Sequence, residues 1–409
     1  MRSLTTFSGS DGEHRLGRLI PRPDIPIQPV LSWATFFGRG GETAPAVTDQ
    51  GRVVFVTAAR IAIAQALMLA GIRPGQKVLV PAYHCIVMIE PIVHIGAQPV
   101  FYALHEDLLV DLDDVAAKLD SETRAFIAIN YFGFPQELGG LRRFCDANRL
   151  TFIEDCAHSF FGSHGGQPLG TFGHFAVASL AKFFPVRDGG CLSIGSGAPE
   201  RRAIALRSQG LAANLAAALD TVEDAVGAGR LTGLGPAVNL MNFAKDVARA
   251  ALPKAGTTHG DNPSLQRSGQ RGGFDAAWID VSATAVSRTI ARRASRSRIV
   301  EKRRRNYARL AEAFTGLRRC RPVLPHLLDG VVPYMFPLWI DHLSEVFPIL
   351  EDRAVPMQRF GQFLWPEMDT DVCAVTRRHS RHGIQFACHQ ELEDDEVTAI
   401  VARVRDLVT

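Results

Sequence analysis

From about residue 53 onward, short runs of apolar and β-branched residues alternate with stretches in which apolar residues return at helical spacing. The run "RIAIAQALMLAGI" (60–72) is rich in alanine and leucine and reaches Gly71, which predicts a helix with a glycine stop. "KVLVP" (77–81) reads as a buried strand, "IVMIEPIVHIG" (86–96) as a helix kinked or started at Pro91, and "QPVFY" (98–102) as the next strand. "VDLDDVAAKL" (110–119) is a helix with acidic residues at its start, where the helix dipole favours them. The strand "RAFIAIN", the helix "ELGGLRRFCDANR" and the strand "LTFIE" follow, and then two more strands, "HFAVAS" and "GCLSI". Strands separated by helices predict an α/β fold, a mainly parallel sheet with helices on both faces.

After about residue 195 the pattern changes. "LAANLAAALDTVEDAVGAGRL" (211–231) is helical, and the Gly/Ser/polar stretch 253–273 reads as a loop. A long arginine-rich helix is expected from about 278 to 314, and the remainder, with "PYMFPLWID" as a strand and "LEDDEVTAIVARVRDL" as a last helix, reads as a smaller α+β unit. The expected organisation is a large domain over 1–275 and a small C-terminal domain over 276–409. The large domain includes an N-terminal arm and an atypical segment over 211–275.

Composition narrows the class without naming a partner. The chain has 409 residues, is 46% hydrophobic and carries a formal charge of +3, too little to point to a polyanion or an acidic membrane. The arginine run 287–310 lacks an aromatic platform beside it and reads as a solvated helix face, so no nucleic-acid partner is expected. Seven cysteines, an odd number with no CxxC pair, fit reduced thiols and give no metal site. No secretory leader and no run of roughly 18 apolar residues is visible, which predicts a soluble cytoplasmic protein.

In sheets of this kind ligands bind beyond the carboxyl ends of the strands. The segments there are "AYHC" (82–85), "YFGFP" (131–135), "DCAHS" (155–159) and "LAK" (180–182). Asp155 follows one strand and Lys182 another, so both are expected to face one cleft. A lysine beside an aspartate there suggests pyridoxal 5'-phosphate: the lysine forms the Schiff base and the carboxylate keeps the pyridine nitrogen protonated. The helix start at "TAAR" (57–60) offers backbone N–H groups to a phosphate, Ser179 adds a hydroxyl, and Gly189 and Gly190 let the chain turn beneath the cofactor.

These residues resemble a known family. "FVTAARIAIAQAL", "VLVPAYHC…GAQPVFY", "FIEDCAHSFFG…PLGTFGHFAVASLAKFFPVRDGG" and "FACHQEL" are similar to the DegT/DnrJ/StrS group of sugar aminotransferases, pyridoxal-phosphate enzymes of fold type I. The resemblance implies that Lys182 and Asp155 are catalytic, Asp155 pairing with the ring nitrogen. It implies that His158 lies near the cofactor's hydroxyl and that Ala59 and Arg60 stand where the family has Gly-Thr for the phosphate, joined there by Ser179. The family's ring-stacking aromatic falls at Cys85 here, which leaves Tyr83 or His84 as the cofactor-stacking candidates.

The implied activity is transfer of an amino group, from glutamate in many members, to a nucleotide-linked keto-sugar or a related keto intermediate of polysaccharide or natural-product synthesis. A homodimer is implied as well. The alternatives are a sugar dehydratase using the same cofactor, and a non-catalytic binding or regulatory protein of the same fold. Family dehydratases carry histidine in place of the lysine, so Lys182 counts against the former. The family's glycine-asparagine-arginine loop has no clear match in this chain, which keeps the latter open.

Overall fold

The computed structural model describes residues 24–38, 41, 43–240 and 273–409. The alternation seen in the sequence becomes β1 (Arg52–Val56), α1 (Ala59–Leu69), β2 (Lys77–Pro81), α2 (Ile86–His94), β3 (Gln98–Tyr102), α3 (Leu112–Ala117), β4 (Thr123–Ile129), α4 (Leu138–Ala147) and β5 (Thr151–Asp155). A short pair, β6 (Ser163–His164) and β7 (Gln167–Pro168), precedes β8 (Phe175–Ser179), β9 (Gly190–Ile194) and α5 (Gly210–Gly227). Seven strands form one sheet in the order β1-β9-β8-β5-β4-β2-β3. The pairings of β2 with β3, β2 with β4, β4 with β5 and β5 with β8 are parallel, and β9 runs antiparallel to both β8 and β1. The central strands are continuous apolar runs because helices cover both faces: in β4 only Arg124 is not fully buried.

Helix ends at the amino edge of this sheet share one hydrogen-bond pattern. Gly71 after α1 and Gly96 after α2 have φ of 74° and 79°, and the N–H groups that follow reach back to Leu67 and Ile92. After α4 the same left-handed position is held by Arg149, with φ of 55° and Leu150 N–H donating to the Cys145 carbonyl at 2.9 Å.

The C-terminal part contains α6 (Ala285–Arg293), α7 (Arg296–Phe314), β10 (Cys320–Pro322), β11 (Met335–Ile340), α8 (Leu343–Asp352), β12 (Met357–Gln358), α9 (Ala374–His382), β13 (Gly383–Ala387) and α10 (Asp394–Arg405). Its strands form an antiparallel sheet in the order β10-β11-β13-β12. The single helix expected over 278–314 is two helices. Ser295 breaks it: its hydroxyl accepts the Arg298 N–H and starts α7, a capping role that competes with helix interior for serine. Of the stretch read as a loop, residues 253–272 lie outside the described residues, as do 1–23 of the N-terminal arm.

Candidate active site

β5 ends in two acids that the strand's alternation sends to opposite faces. Glu154 is fully buried and accepts from the backbone N–H groups of Gly170 at 2.8 Å and Phe172 at 3.1 Å, so it clamps the 170–173 loop. Asp155 points the other way, toward the carboxyl-end cleft, and accepts from the Ala157 N–H at 2.9 Å. Burial raises its pKa, opposed by that N–H and by the positive charge of Lys182.

Lys182 lies three residues past β8, whose last residue, Ser179, is in register with Gly190 of β9. Burial lowers the pKa of Lys182, with Asp155 and Cys85 pulling it back up. Its Nζ stands 5.2 Å from the centre of the Tyr334 ring. The sheet therefore brings Asp155 and Lys182 into one desolvated cleft, each biasing the other's charge.

His158 joins them. Its ring stacks on Tyr334 at 4.8 Å and on Phe132 at 5.9 Å, and its Nδ1 accepts the Phe132 N–H at 3.3 Å. Accepting at Nδ1 requires the proton of the neutral ring to sit on Nε2. Burial, helped by Lys182, holds its pKa well below the usual histidine value, so His158 is a neutral donor.

The start of α1 has backbone N–H groups that no side chain caps. Its N-cap is Ala58, which has no side-chain oxygen to satisfy the first backbone N–H groups, those of Ala59 and Arg60. Gly190 packs against this turn so closely that a Cβ would come within 2.6 Å of the Ala59 nitrogen. Beside it opens a cavity of about 330 Å³ lined in part by Arg60, Arg187, Gln209, Asp220 and Trp278. Arg187 is held there by α5, donating to Asp224 at 2.6 Å and lying 3.3 Å from Asp220.

Two sequence candidates do not join this group. Tyr83 is buried against Tyr131, Phe360 and His379, and its hydroxyl donates to the Phe360 carbonyl at 3.1 Å. His84 stacks on Phe101, donates from Nδ1 to the Ala82 carbonyl at 2.9 Å and accepts the Trp365 N–H on Nε2 at 2.9 Å. Both rings pack between the sheet and the 357–365 segment in this structure. Cys85, the next residue, is exposed and lies near both Lys182 and Arg60, so it is the member of this loop that faces the cleft.

The sequence reading missed Tyr334 and Arg303. Arg303, in the middle of the arginine run, is fully buried and bonds only neutral acceptors: Gln390 Oε1 at 2.8 Å and the carbonyls of Pro333, Tyr334 and Lys182 at 3.1, 2.9 and 2.9 Å. Its guanidinium also covers the Phe183 ring at 4.4 Å, and burial pulls its pKa down to about 10. A signal existed. Arg303, Tyr307 and Leu310 share the buried face of α7 at i, i+4, i+7 spacing, so helical periodicity separates this arginine from its solvated neighbours.

The fold and this cleft define an α/β protein of the kind that carries pyridoxal phosphate on a lysine. The chain belongs to the DegT/DnrJ/EryC1/StrS aminotransferase family, whose model matches residues 44–257. It is similar to GDP-perosamine synthase from Vibrio cholerae, 31% identical over 156 residues, which cover 37% of this chain and 42% of that protein. It is similar also to UDP-N-acetyl-3-dehydro-alpha-D-glucosamine 3-aminotransferase from Acidithiobacillus ferrooxidans, 32% identical over 164 residues. That match covers 36% of this chain and 42% of that protein. The matched region thus spans about two fifths of the length of these relatives. In fold it matches the aminotransferase TlmJ from Streptoalloteichus hindustanus with a TM-score of 0.57 and 21% identity, covering 87% of this chain and 85% of that one.

The family implies pyridoxal phosphate, and the residues present fit it. A half-buried lysine of lowered pKa and a buried carboxylate share one cleft, a histidine offers a neutral donor, and an α-helix start without a capping side chain suits the phosphate. Among the described residues no cluster of histidine, cysteine or acidic side chains is arranged for a metal ion, and no helix is long and apolar enough to cross a membrane.

Proposed function

We propose that this chain is a pyridoxal-phosphate-dependent aminotransferase that moves an amino group from glutamate, or a similar donor, to a nucleotide-linked keto-sugar or related keto intermediate. The observation that carries this reading is the proximity of half-buried Lys182 and buried Asp155 in one cleft, each shifting the other's charge. The relatives named for GDP- and UDP-linked sugars support the acceptor class.

When bound, the cofactor would supply an electron sink for the substrate carbon. Lys182 would hold it, Asp155 would keep a proton on its ring nitrogen, and His158 Nε2 would donate to its hydroxyl oxygen. Ala59, Arg60 and Ser179 would receive the phosphate; the Ser179 hydroxyl has no partner among the described residues. Once freed, the Lys182 amine accepts and returns the migrating proton, a task that its burial-lowered pKa suits near neutral pH. Arg303 and Gln390 fix the carbonyls of Lys182 and Phe183, at 2.9 and 2.8 Å, so the lysine's backbone is held still while its amine moves.

The same reading includes a homodimer, a cytoplasmic location and a role in polysaccharide or natural-product synthesis. It also divides the chain into a cofactor-binding part, 1–275, and a C-terminal part, 276–409. A lysine at 182 disfavours the dehydratase alternative, which needs a residue that does not hold the cofactor covalently.

The test is chemical. Protein incubated with pyridoxal phosphate, reduced with borohydride and digested should carry the pyridoxyl mass on the peptide containing Lys182. Folded protein that takes up no label there refutes the assignment.

A further inference from the structure

The seven-stranded sheet has a second opening, at its amino edge. A groove of about 870 Å³ lies there, lined by Arg73, Arg124, Arg149 and Arg201 together with Gln76 and His174. It adjoins a smaller recess of about 410 Å³ that shares Arg124 and Arg149. The helix arrangement makes this the end opposite Lys182, because strands that point toward the cleft begin here.

None of the four arginines is ion-paired with a described residue. Other arginines of the chain are: Arg296 holds Asp49, Arg298 holds Glu391 and Arg403 holds Asp24. The acids in the lining of the two openings, Asp146 and Asp120, are already engaged. Asp146 accepts from Arg142 at 2.9 and 3.0 Å and lies 3.5 Å from His174, and Asp120 is bound to Lys77. The C-terminal ends of α1 and α4 also face this opening and carry about half a negative charge each, which four guanidinium groups outweigh.

Three of the four are held by the backbone. Arg124 is half-buried and donates from Nη1 to the carbonyls of Ser121 and Thr123 at 2.7 and 2.8 Å, leaving its other N–H groups toward the groove. Arg201 donates its main-chain N–H to the Leu69 carbonyl at 2.7 Å, and its stem lies against Gly71, where a Cβ would be 2.8 Å away. Arg149 occupies the left-handed position at which α1 and α2 use glycine. A side chain there costs on the order of 1 kcal/mol. Ala354 tolerates the same strain elsewhere, but at Arg149 the strained residue presents a charge to the opening.

We propose that this groove is a binding site for a small diphosphate, either free or as part of a nucleotide. Planar guanidinium forks match phosphoryl oxygens two at a time, the volume lies within the range of small-molecule sites, and apart from the His174 imidazole the lining holds no aromatic ring on which a base would stack. Recognition therefore rests on the phosphates. The site is independent of Lys182 and of the activity proposed above.

The experiment is titration calorimetry on protein saturated with pyridoxal phosphate, so that the phosphate subsite at α1 is occupied, using inorganic pyrophosphate and, in a second arm, a nucleoside diphosphate. Saturable binding is expected, weakened at least about tenfold in Arg149→Gly and again in Arg124→Met. Arg149→Gly separates binding from folding, because it relieves the backbone strain and should melt no lower than the parent. Only binding that Arg149→Gly weakens is assigned to the groove: equal affinity of that component for the two probes assigns recognition to the diphosphate alone, and tighter binding of the nucleotide adds contacts to the nucleoside; either outcome supports the site. Absence of saturable binding, or unchanged affinity in Arg149→Gly, overturns it.

Discussion

The two ends of the seven-stranded sheet both collect charge, and they use it oppositely. At the carboxyl end Asp155, Lys182, His158 and Arg303 are taken out of water, so desolvation is the first cause of every shift in their proton affinities. At the amino end Arg73, Arg149 and Arg201 are exposed, in a high-dielectric setting. The lesson is that burial, more than residue type, decides whether a charged side chain does proton chemistry or simply attracts a counter-charge. An arginine can belong to either end: Arg303 is in the first group because helix periodicity buries it, and Arg149 in the second because a helix ends there.

Removing the amine should produce the largest effect. Lys182→Ala is expected to abolish transamination in a steady-state assay, whereas Arg149→Gly leaves the rate unchanged; similar rates in Lys182→Ala and the parent would break the contrast.

Acid should come next, and between pH 7.5 and 4.5 chiefly through buried histidines. His84 and His379 are pushed by burial down to about 4 and His389 to about 3, while an unfolded histidine titrates near 6.5. The unfolded chain then binds more protons, so stability falls as pH drops below about 6.5 and keeps falling toward 4. Urea midpoints measured from pH 7.5 to 4.5 should decline over that window, and a flat profile would contradict the neutral, buried state of these rings.

Arg303→Met is expected to be milder than loss of Lys182 but larger than any change in the groove. It leaves the Lys182 and Tyr334 carbonyls without their donor, a cost of about 3 kcal/mol by denaturant titration. Bound cofactor should also be lost faster on dialysis, and Arg303→Lys should restore only part of the deficit, since an ammonium lacks the fork.

The smallest effect has the opposite sign: Arg149→Gly should raise stability by up to about 1 kcal/mol in the same titration. A decrease would mean that the arginine contributes contacts to the fold.

The sheet was readable because its signals are local. "KVLVP", "RAFIAIN" and "HFAVAS" are apolar runs set apart by helical or turn segments, whereas the strand order, with β1 beside β9 and β2 between β4 and β3, is set by tertiary packing. Asp155 and Lys182 were readable because strand ends are where such sheets bind ligands. The packing of Tyr83 and His84 was not readable for a physical reason: their surroundings come from Phe360 and Trp365, more than 270 positions along the chain, and no local pattern reports it. Tyr334 likewise reaches Lys182 only through tertiary structure. The break at Ser295 was a local signal, a serine that caps better than it continues a helix, masked by the arginines around it.

Arg303 also bears on how the molecule comes apart. A single guanidinium ties the loop after β8 to the chain just before β11, and so joins the seven-stranded sheet to the four-stranded one. Neither sheet can loosen without stranding that cation in apolar surroundings. Scanning calorimetry should therefore record one cooperative melting peak, and two resolved peaks would show that this tie is too weak to couple the halves.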